Sequence, residues 1–215
     1  MSTLLTAKNI SHSFDYLLFS NANIELQEKE SLAILGRSGS GKSTLLHIFS
    51  SFIKPQEGKV GLLNHQELYK LSDNSIEEIR RNDLGIIFQA HYLFKGMSAL
   101  DNIEIATILS HEEIDPKLLK DLGIEELMKQ KIGDLSGGQQ QRISIARVLS
   151  KKPKIIFADE PTGNLDKETA LLVMNVLLEY IKENNAGMIL VTHDEEMARL
   201  CNRSYKLEDK HLKEI

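Results

Sequence analysis

Leu32-Ala33-Ile34-Leu35-Gly36-Arg37-Ser38-Gly39-Ser40-Gly41-Lys42-Ser43-Thr44 carries the pattern that decides the fold: four apolar residues run directly into Gly-x-x-x-x-Gly-Lys-Ser. A short apolar run closed by glycine reads as a buried strand, and the apolar stretch Thr44–Ser51 reads as a helix. Strand, glycine-rich loop and helix in that order make a phosphate cradle. Glycines let successive backbone N–H groups turn inward, and the helix N-terminus adds partial positive charge. Gly36, Arg37, Ser38, Gly39, Ser40, Gly41, Lys42, Ser43 and Thr44 are therefore expected to hold nucleotide phosphates. Lys42 is suited to neutralise β/γ-phosphate charge and Ser43 to ligate Mg²⁺. A chance Gly/Ser turn would lack the strand before it and the helix after it.

The same grammar recurs outward from this loop. Gly85–Phe88, Ile155–Ala158 and Met188–Val191 are further apolar runs, followed by Gln89, Asp159-Glu160 and His193 respectively. Helical patterns lie between them; in Lys167–Glu183 the residues Ala170, Val173, Met174, Leu177 and Ile181 share one face. Strands alternating with helices predict an α/β fold with a mostly parallel core sheet and a site along one edge. The first thirty residues and Lys59–Leu63 alternate as a small antiparallel sheet would. Helical patterns dominate at Ser98–Ile108, Asp115–Leu122, Glu125–Lys131 and Gly137–Leu149. These predict one domain over 1–215, its core at about 1–88 and 150–215 and a helical lobe inserted at about 89–149. Tyr205–Ile215 reads as a closing hairpin.

Asp159 and Glu160 alone would pass for a solvated acidic loop. Beside a phosphate loop they divide into two roles. Mg²⁺ wants a carboxylate at a neighbouring strand end, which suits Asp159, while Glu160 is free to orient or deprotonate an attacking water. Gln89 has an amide for either Mg²⁺ or that water. His193 has the chemistry to hydrogen-bond the γ-phosphate and to position Glu160, although a lone histidine is more often a surface or core residue. No His/Cys spacing of the zinc type occurs.

Leu135-Ser136-Gly137-Gly138-Gln139 opens another helix. Ser136 with Gln139 is a capping-box pattern, which explains the ends of the motif but not its middle. Two glycines at the first helical positions cost roughly 1 kcal/mol each against alanine. They suit close approach of a ligand to a helix N-terminus that favours anions. One chain thus carries two phosphate-seeking helix starts, about a hundred residues apart.

Taken together, Gly36–Ser43, Gln89, Leu135–Gln139, Asp159-Glu160, Asn164-Leu165-Asp166 and His193 resemble the ATP-binding cassette (ABC) ATPases over essentially the whole chain. The resemblance implies a phosphate-loop NTPase cassette with a small antiparallel β subdomain and an inserted helical subdomain. It implies ATP and Mg²⁺ as ligands and a head-to-tail homodimer sandwiching two ATP molecules. In that arrangement Ser136, Gly137, Gly138 and Gln139 of one subunit complete the phosphate-loop site of the other, and Asp166 lies in the loop linking the sites. Phe14 falls where an aromatic stacks on adenine, with Tyr16 as the alternative. It further implies a cytoplasmic ATPase attached to the inner face of the cell membrane through an integral membrane permease-type partner.

Ser43–His47, Ile87–Phe94 and Ala158–Asp166 are similar in wording to the bacterial lipoprotein-releasing ATPases and to their macrolide-export and cell-division relatives. Tyr92, Leu93, Phe94 and Met97 would fit either a docking patch for the membrane partner or ordinary core of the lobe. Four positions depart from the family's wording: Phe14 for tyrosine, Lys29 for a glycine, Ile132-Gly133-Asp134 where proline is common, and Glu208-Asp209-Lys210 without a turn glycine.

Composition bounds the rest. The chain has 215 residues, 41% hydrophobic and 27% charged, with a net charge of −5. That is ordinary globular composition, and the acidic balance argues against a nucleic-acid partner. A single cysteine, Cys201, excludes an internal disulfide framework. No apolar run approaches the roughly 18 residues that span a bilayer. Met1–Ser13 has neither the basic and apolar segments nor the cleavage site of an export signal.

Overall fold

The computed structural model describes residues 2–215. Six strands form the central sheet: β3 (Ser31–Leu35), β5 (Leu84–Ile87), β6 (Ile155–Asp159), β7 (Gly187–Thr192), β8 (Arg203–Glu208) and β9 (His211–Glu214). Their order is β5-β6-β7-β3-β8-β9, parallel except for the antiparallel edge strand β9. A second, antiparallel sheet has the order β2-β1-β4, with β1 (Thr3–Ser13), β2 (Leu17–Gln27) and β4 (Glu57–Leu62). The helices are α1 (Lys42–Phe49), α2 (Asp73–Asn82), α3 (Ala99–Ser110), α4 (Pro116–Asp121), α5 (Gly137–Leu149), α6 (Lys167–Glu183) and α7 (Glu195–Ala198).

The strand sequences are continuously apolar because the central sheet is covered on both faces. Ile155 and Phe157 of β6 join Leu32, Ile34, Ile189 and Val191 in the cluster under α1 and the antiparallel sheet. Ile156 and Ala158 point the other way, into a cluster with Met188 and Leu190 that α5 and α6 close with Ile143, Val148, Val173 and Leu177. The predicted apolar face of α6 is the buried one. Helix starts are capped as their sequences suggest: Ser98 with Asp101 and Ser136 with Gln139 each form both bonds of a capping box.

Glu125–Lys131 departs from the expected helix and forms only a short 3₁₀ turn at Glu125–Leu127. Its backbone is committed elsewhere. The carbonyls of Met128 and Gln130 accept the N–H groups of Leu100 and Ala99, first-turn donors of α3 that have no partner within their own helix. The closing hairpin starts two residues earlier than read, at Arg203. Its two-residue turn, Asp209-Lys210, has φ of 49° and 66°, the primed geometry usually given to Asn-Gly. Lys29 is likewise left-handed, at φ 62°. The places where the chain lacks the family's usual glycine therefore keep glycine's conformation.

That conformation disfavours a side chain at Lys29, which is exposed. Steric relief exceeds the entropic cost of a glycine there, so Lys29→Gly is expected to stabilise the fold by about 0.5–1 kcal/mol. Urea unfolding measures it, and a lowered midpoint would contradict the assignment of strain.

Candidate nucleotide site

Parallel pairing brings four strand ends to one edge of the sheet. Leu35 stands beside Thr192, Asp159 beside Val191, and Ile87 beside Ala158. The loops leaving those ends open a cleft of 590 Å³ lined by Ser38, Gly39, Gly41, Lys42, Ser43, Thr44, Gln89, Asp159, Glu160 and His193. Phe14 and Tyr16 from the β1–β2 turn, with Leu18 of β2, form its remaining wall.

The phosphate loop needs its glycines for different reasons. Gly39 and Gly41 have φ of +76° and +100°, so their N–H groups face where few L-residues can direct them. Gly36 is a close-packing position: a Cβ there would meet Ser40 Oγ at 2.8 Å and the Leu207 carbonyl at 2.9 Å. Gly36, Arg37 and Ser40 thus shape the loop from behind rather than line the cleft. The buried Lys42 donates through Nζ to the carbonyls of Gly36 (2.8 Å) and Arg37 (3.0 Å). Burial lowers its pKa, opposed by the nearby Glu160 and Asp159 carboxylates.

Ser43 Oγ donates to Asp159 Oδ1 at 3.1 Å, tying the start of α1 to the end of β6. Burial raises the Asp159 pKa, and the Ser43 bond works against that rise. Glu160 is left-handed at φ 48°, with its N–H bonded to the Val191 carbonyl at 2.9 Å. Its side chain is held at both oxygens: Thr192 Oγ1 donates to Oε2 at 3.1 Å, and His193 Nδ1 lies 2.8 Å from Oε1. The carboxylate side chain is 13% exposed and the imidazole 68%. The structure thus brings Lys42, Ser43, Gln89, Asp159, Glu160 and His193 into one cleft.

Thr192 was not among the expected residues. It is fully buried, and its hydroxyl also accepts the Asp194 N–H at 3.0 Å. The available signal was a hydroxyl at the last position of an otherwise apolar strand, next to His193.

Ser136, Gly137, Gly138, Gln139 and Asp166 do not line this cleft. Ser136 and Gln139 are engaged with each other, at 2.8 and 3.3 Å. A Cβ on Gly137 would meet nothing within 4 Å, whereas one on Gly138 would meet Leu165 at 3.3 Å. Only Gly137 is therefore unexplained by packing; Gly138 serves its neighbour on the loop before α6. Asp166 caps α6, accepting from Thr169 N at 3.0 Å and Thr169 Oγ1 at 2.7 Å, which lowers its pKa.

Phe14 and Tyr16 are both exposed in the cleft, and only Phe14 is buttressed, edge-on to His12 at 5.0 Å. The two readings of the segment after Gln89 divide by residue. Tyr92 and Phe94 are exposed, while Leu93 packs into the second cluster.

A family model described as ABC transporter matches residues 19–163. Among curated proteins, the chain is 42% identical to the lipoprotein-releasing system ATP-binding protein LolD of Rickettsia felis, over 96% of each chain. It is 36% identical to the protein of that name from Aquifex aeolicus, over 97% of this chain and 96% of the other. Among solved structures, the ATP-binding cassette MJ0796, dimeric and bound to ADP and Pi in a post-hydrolysis state, superposes with a TM-score of 0.89. That pair shares 33% identity over 99% of this chain and 98% of the other.

Thr192→Val removes one of two bonds orienting Glu160 while keeping side-chain shape. A bond to a charged acceptor of this kind makes the expected loss of ATP turnover about tenfold at unchanged KM. Steady-state ATPase kinetics read it; unchanged kcat would mean that His193 alone orients the carboxylate.

Proposed function

The chain belongs to the ABC transporter family as an ATP-binding subunit with ATPase activity, and on that premise we propose that it powers a membrane-embedded partner in lipoprotein release. The observation that carries this reading is a complete hydrolytic edge in one cleft, set apart from an exposed Ser136-Gly137 helix start with open space above Gly137. The first is a site for ATP. The second is a donor of N–H groups for the ATP of another copy, so two chains pair head to tail around two nucleotides.

In this reading the loop N–H groups and Lys42 hold the phosphates, Lys42 exchanging its two carbonyl acceptors for phosphate oxygens. Ser43 Oγ, Asp159 and the Gln89 amide are hard oxygen donors in one cleft, which fits Mg²⁺. Held by those groups, Mg²⁺ would supply positive charge against the phosphates. Glu160 takes the proton of the attacking water. His193 meets Glu160 through Nδ1, so Nε2 is the ring nitrogen left for the γ-phosphate, and serving both partners takes an N–H on each nitrogen. Phe14, backed by His12, stacks on adenine.

The similarity to proteins named for lipoprotein release supports that cargo. Among the described residues no helix is long and apolar enough to cross a membrane; in this reading the partner provides the attachment. The exposed rings of Tyr92 and Phe94, a few residues after Gln89, are the contact for it.

Glu160→Gln is expected to bind ATP, to lose turnover by about 100-fold or more, and to accumulate as a dimer in size-exclusion chromatography. Hydrolysis near the parent rate would remove Glu160 from its role. Mixed dimers carrying Ser136→Arg in one protomer are expected to lose turnover at the opposite phosphate loop; loss in cis alone would refute the shared site. Recovery from mild-detergent membranes without an integral membrane protein would refute the coupling.

A further inference from the structure

The segment after β5 carries Gln89 at one end and the exposed Tyr92 and Phe94 rings at the other, yet Phe88–Phe94 has no helix or strand of its own. Tyr92 is also left-handed, at φ 47°, a conformation a bulky residue keeps only when its surroundings impose it. The restraint comes from α5. Arg147 spreads its guanidinium over two successive carbonyls, Nη2 to His91 at 3.0 Å and Nη1 to Tyr92 at 2.8 Å. One turn earlier on the same face, Ser144 Oγ donates to the His91 carbonyl at 3.2 Å. The buried Asn102 of α3 completes the hold, accepting from Phe94 N at 2.8 Å and donating to its carbonyl at 3.2 Å.

Arg147 is an expensive way to brace a loop. Its acceptors here are neutral carbonyls, and burial pushes its pKa down. A partly desolvated cation answered by peptide dipoles is costly unless its geometry matters. The fork geometry does matter, because a guanidinium fixes two acceptors at once where an ammonium fixes a point.

We propose that Arg147, supported by Ser144, is a positioning residue that locks the Gln89 segment to α5, so that Gln89, the Tyr92–Phe94 surface and the Ser136 helix start move as one body. Ser136 lies roughly 16 Å away along the same helix, a distance a rigid helix transmits without loss. Displacement of the exposed rings then repositions both Gln89 in this chain's cleft and the helix start offered to a second copy. The inference rests on the reading that Gln89 acts on the nucleotide side.

The test is a double-mutant cycle on the 215-residue chain, with Arg147→Gln, Gln89→Ala and their combination read by kcat, KM and ATP affinity. Arg147→Gln is expected to lower kcat about tenfold, with ATP affinity within about twofold, and to add nothing in the Gln89→Ala background. Hydrogen exchange at Ala90–Lys95 is expected to quicken in Arg147→Gln. Losses that multiply, parent-like kcat in Arg147→Gln, or unchanged exchange would overturn the clamp. If Arg147→Gln fails to fold, Ser144→Ala is expected to show a smaller loss with the same lack of additivity. Multiplying losses there would overturn it equally. Unchanged turnover in Gln89→Ala alone would instead remove Gln89 from the reaction, a failure of the functional reading and not of the hydrogen bonds.

Discussion

β7 paired in parallel between β3 and β6 is the constraint on which the site depends. Because all three strands run the same way, their polar ends emerge at one edge, and backbone register decides which groups become neighbours. Leu35 opposite Thr192, and Val191 opposite Asp159, set the phosphate loop on one side of His193 and the carboxylates on the other. A register slip of one residue would turn every side chain of a strand to the other face. Both faces of these strands are buried, so such a slip would exchange the members of two separate apolar clusters.

That rigidity lets the edge hold an unfavourable conformation. Glu160 is left-handed and nearly buried, and two neighbours from the end of β7 occupy its two oxygens. In the proposed reading, a carboxylate oriented in advance by fixed partners does not have to be reorganised during hydrolysis. The exposed imidazole and the buried hydroxyl divide the work: Thr192 belongs to the strand, while His193 reaches into the cleft.

α5 is the second organising element. Its N-terminal turn is capped by Ser136 and Gln139 and presented to solvent, its middle is buried against the sheet, and its last turn grips the chain after β5. Lys151, just beyond the helix, extends this grip to the carbonyls of Arg80 and Leu84, on the approach to β5. Burial lowers the Lys151 pKa to about 8, with Arg147 adding to the fall and Asp83 opposing it. Two cations at one helix end also complement the negative pole of its dipole.

How much of this was legible follows from the range of the interactions. Local pattern was enough for the phosphate loop, the four apolar strands, the buried face of α6 and the Ser136–Gln139 capping box, because each depends on residues close in sequence. Their position at strand ends beside the phosphate loop grouped Gln89, Asp159, Glu160 and His193, and the family resemblance gathered the same residues. Thr192 escaped because its duty is toward a residue on another strand. Glu125–Lys131 was misread because its carbonyls serve the first turn of α3. The second glycine of Ser136-Gly137-Gly138 found a packing reason only once Leu165 stood against it. Hydrophobic period, caps and glycines act within a few residues, so the strands and helices, Glu125–Lys131 apart, and the chemistry at their ends could be read along the chain. Which strands stand beside one another around the site, the neighbours of Glu160 and the grip of Arg147 on the Gln89 segment arise only in three dimensions, since they join residues 32 or more positions apart that meet through packing alone.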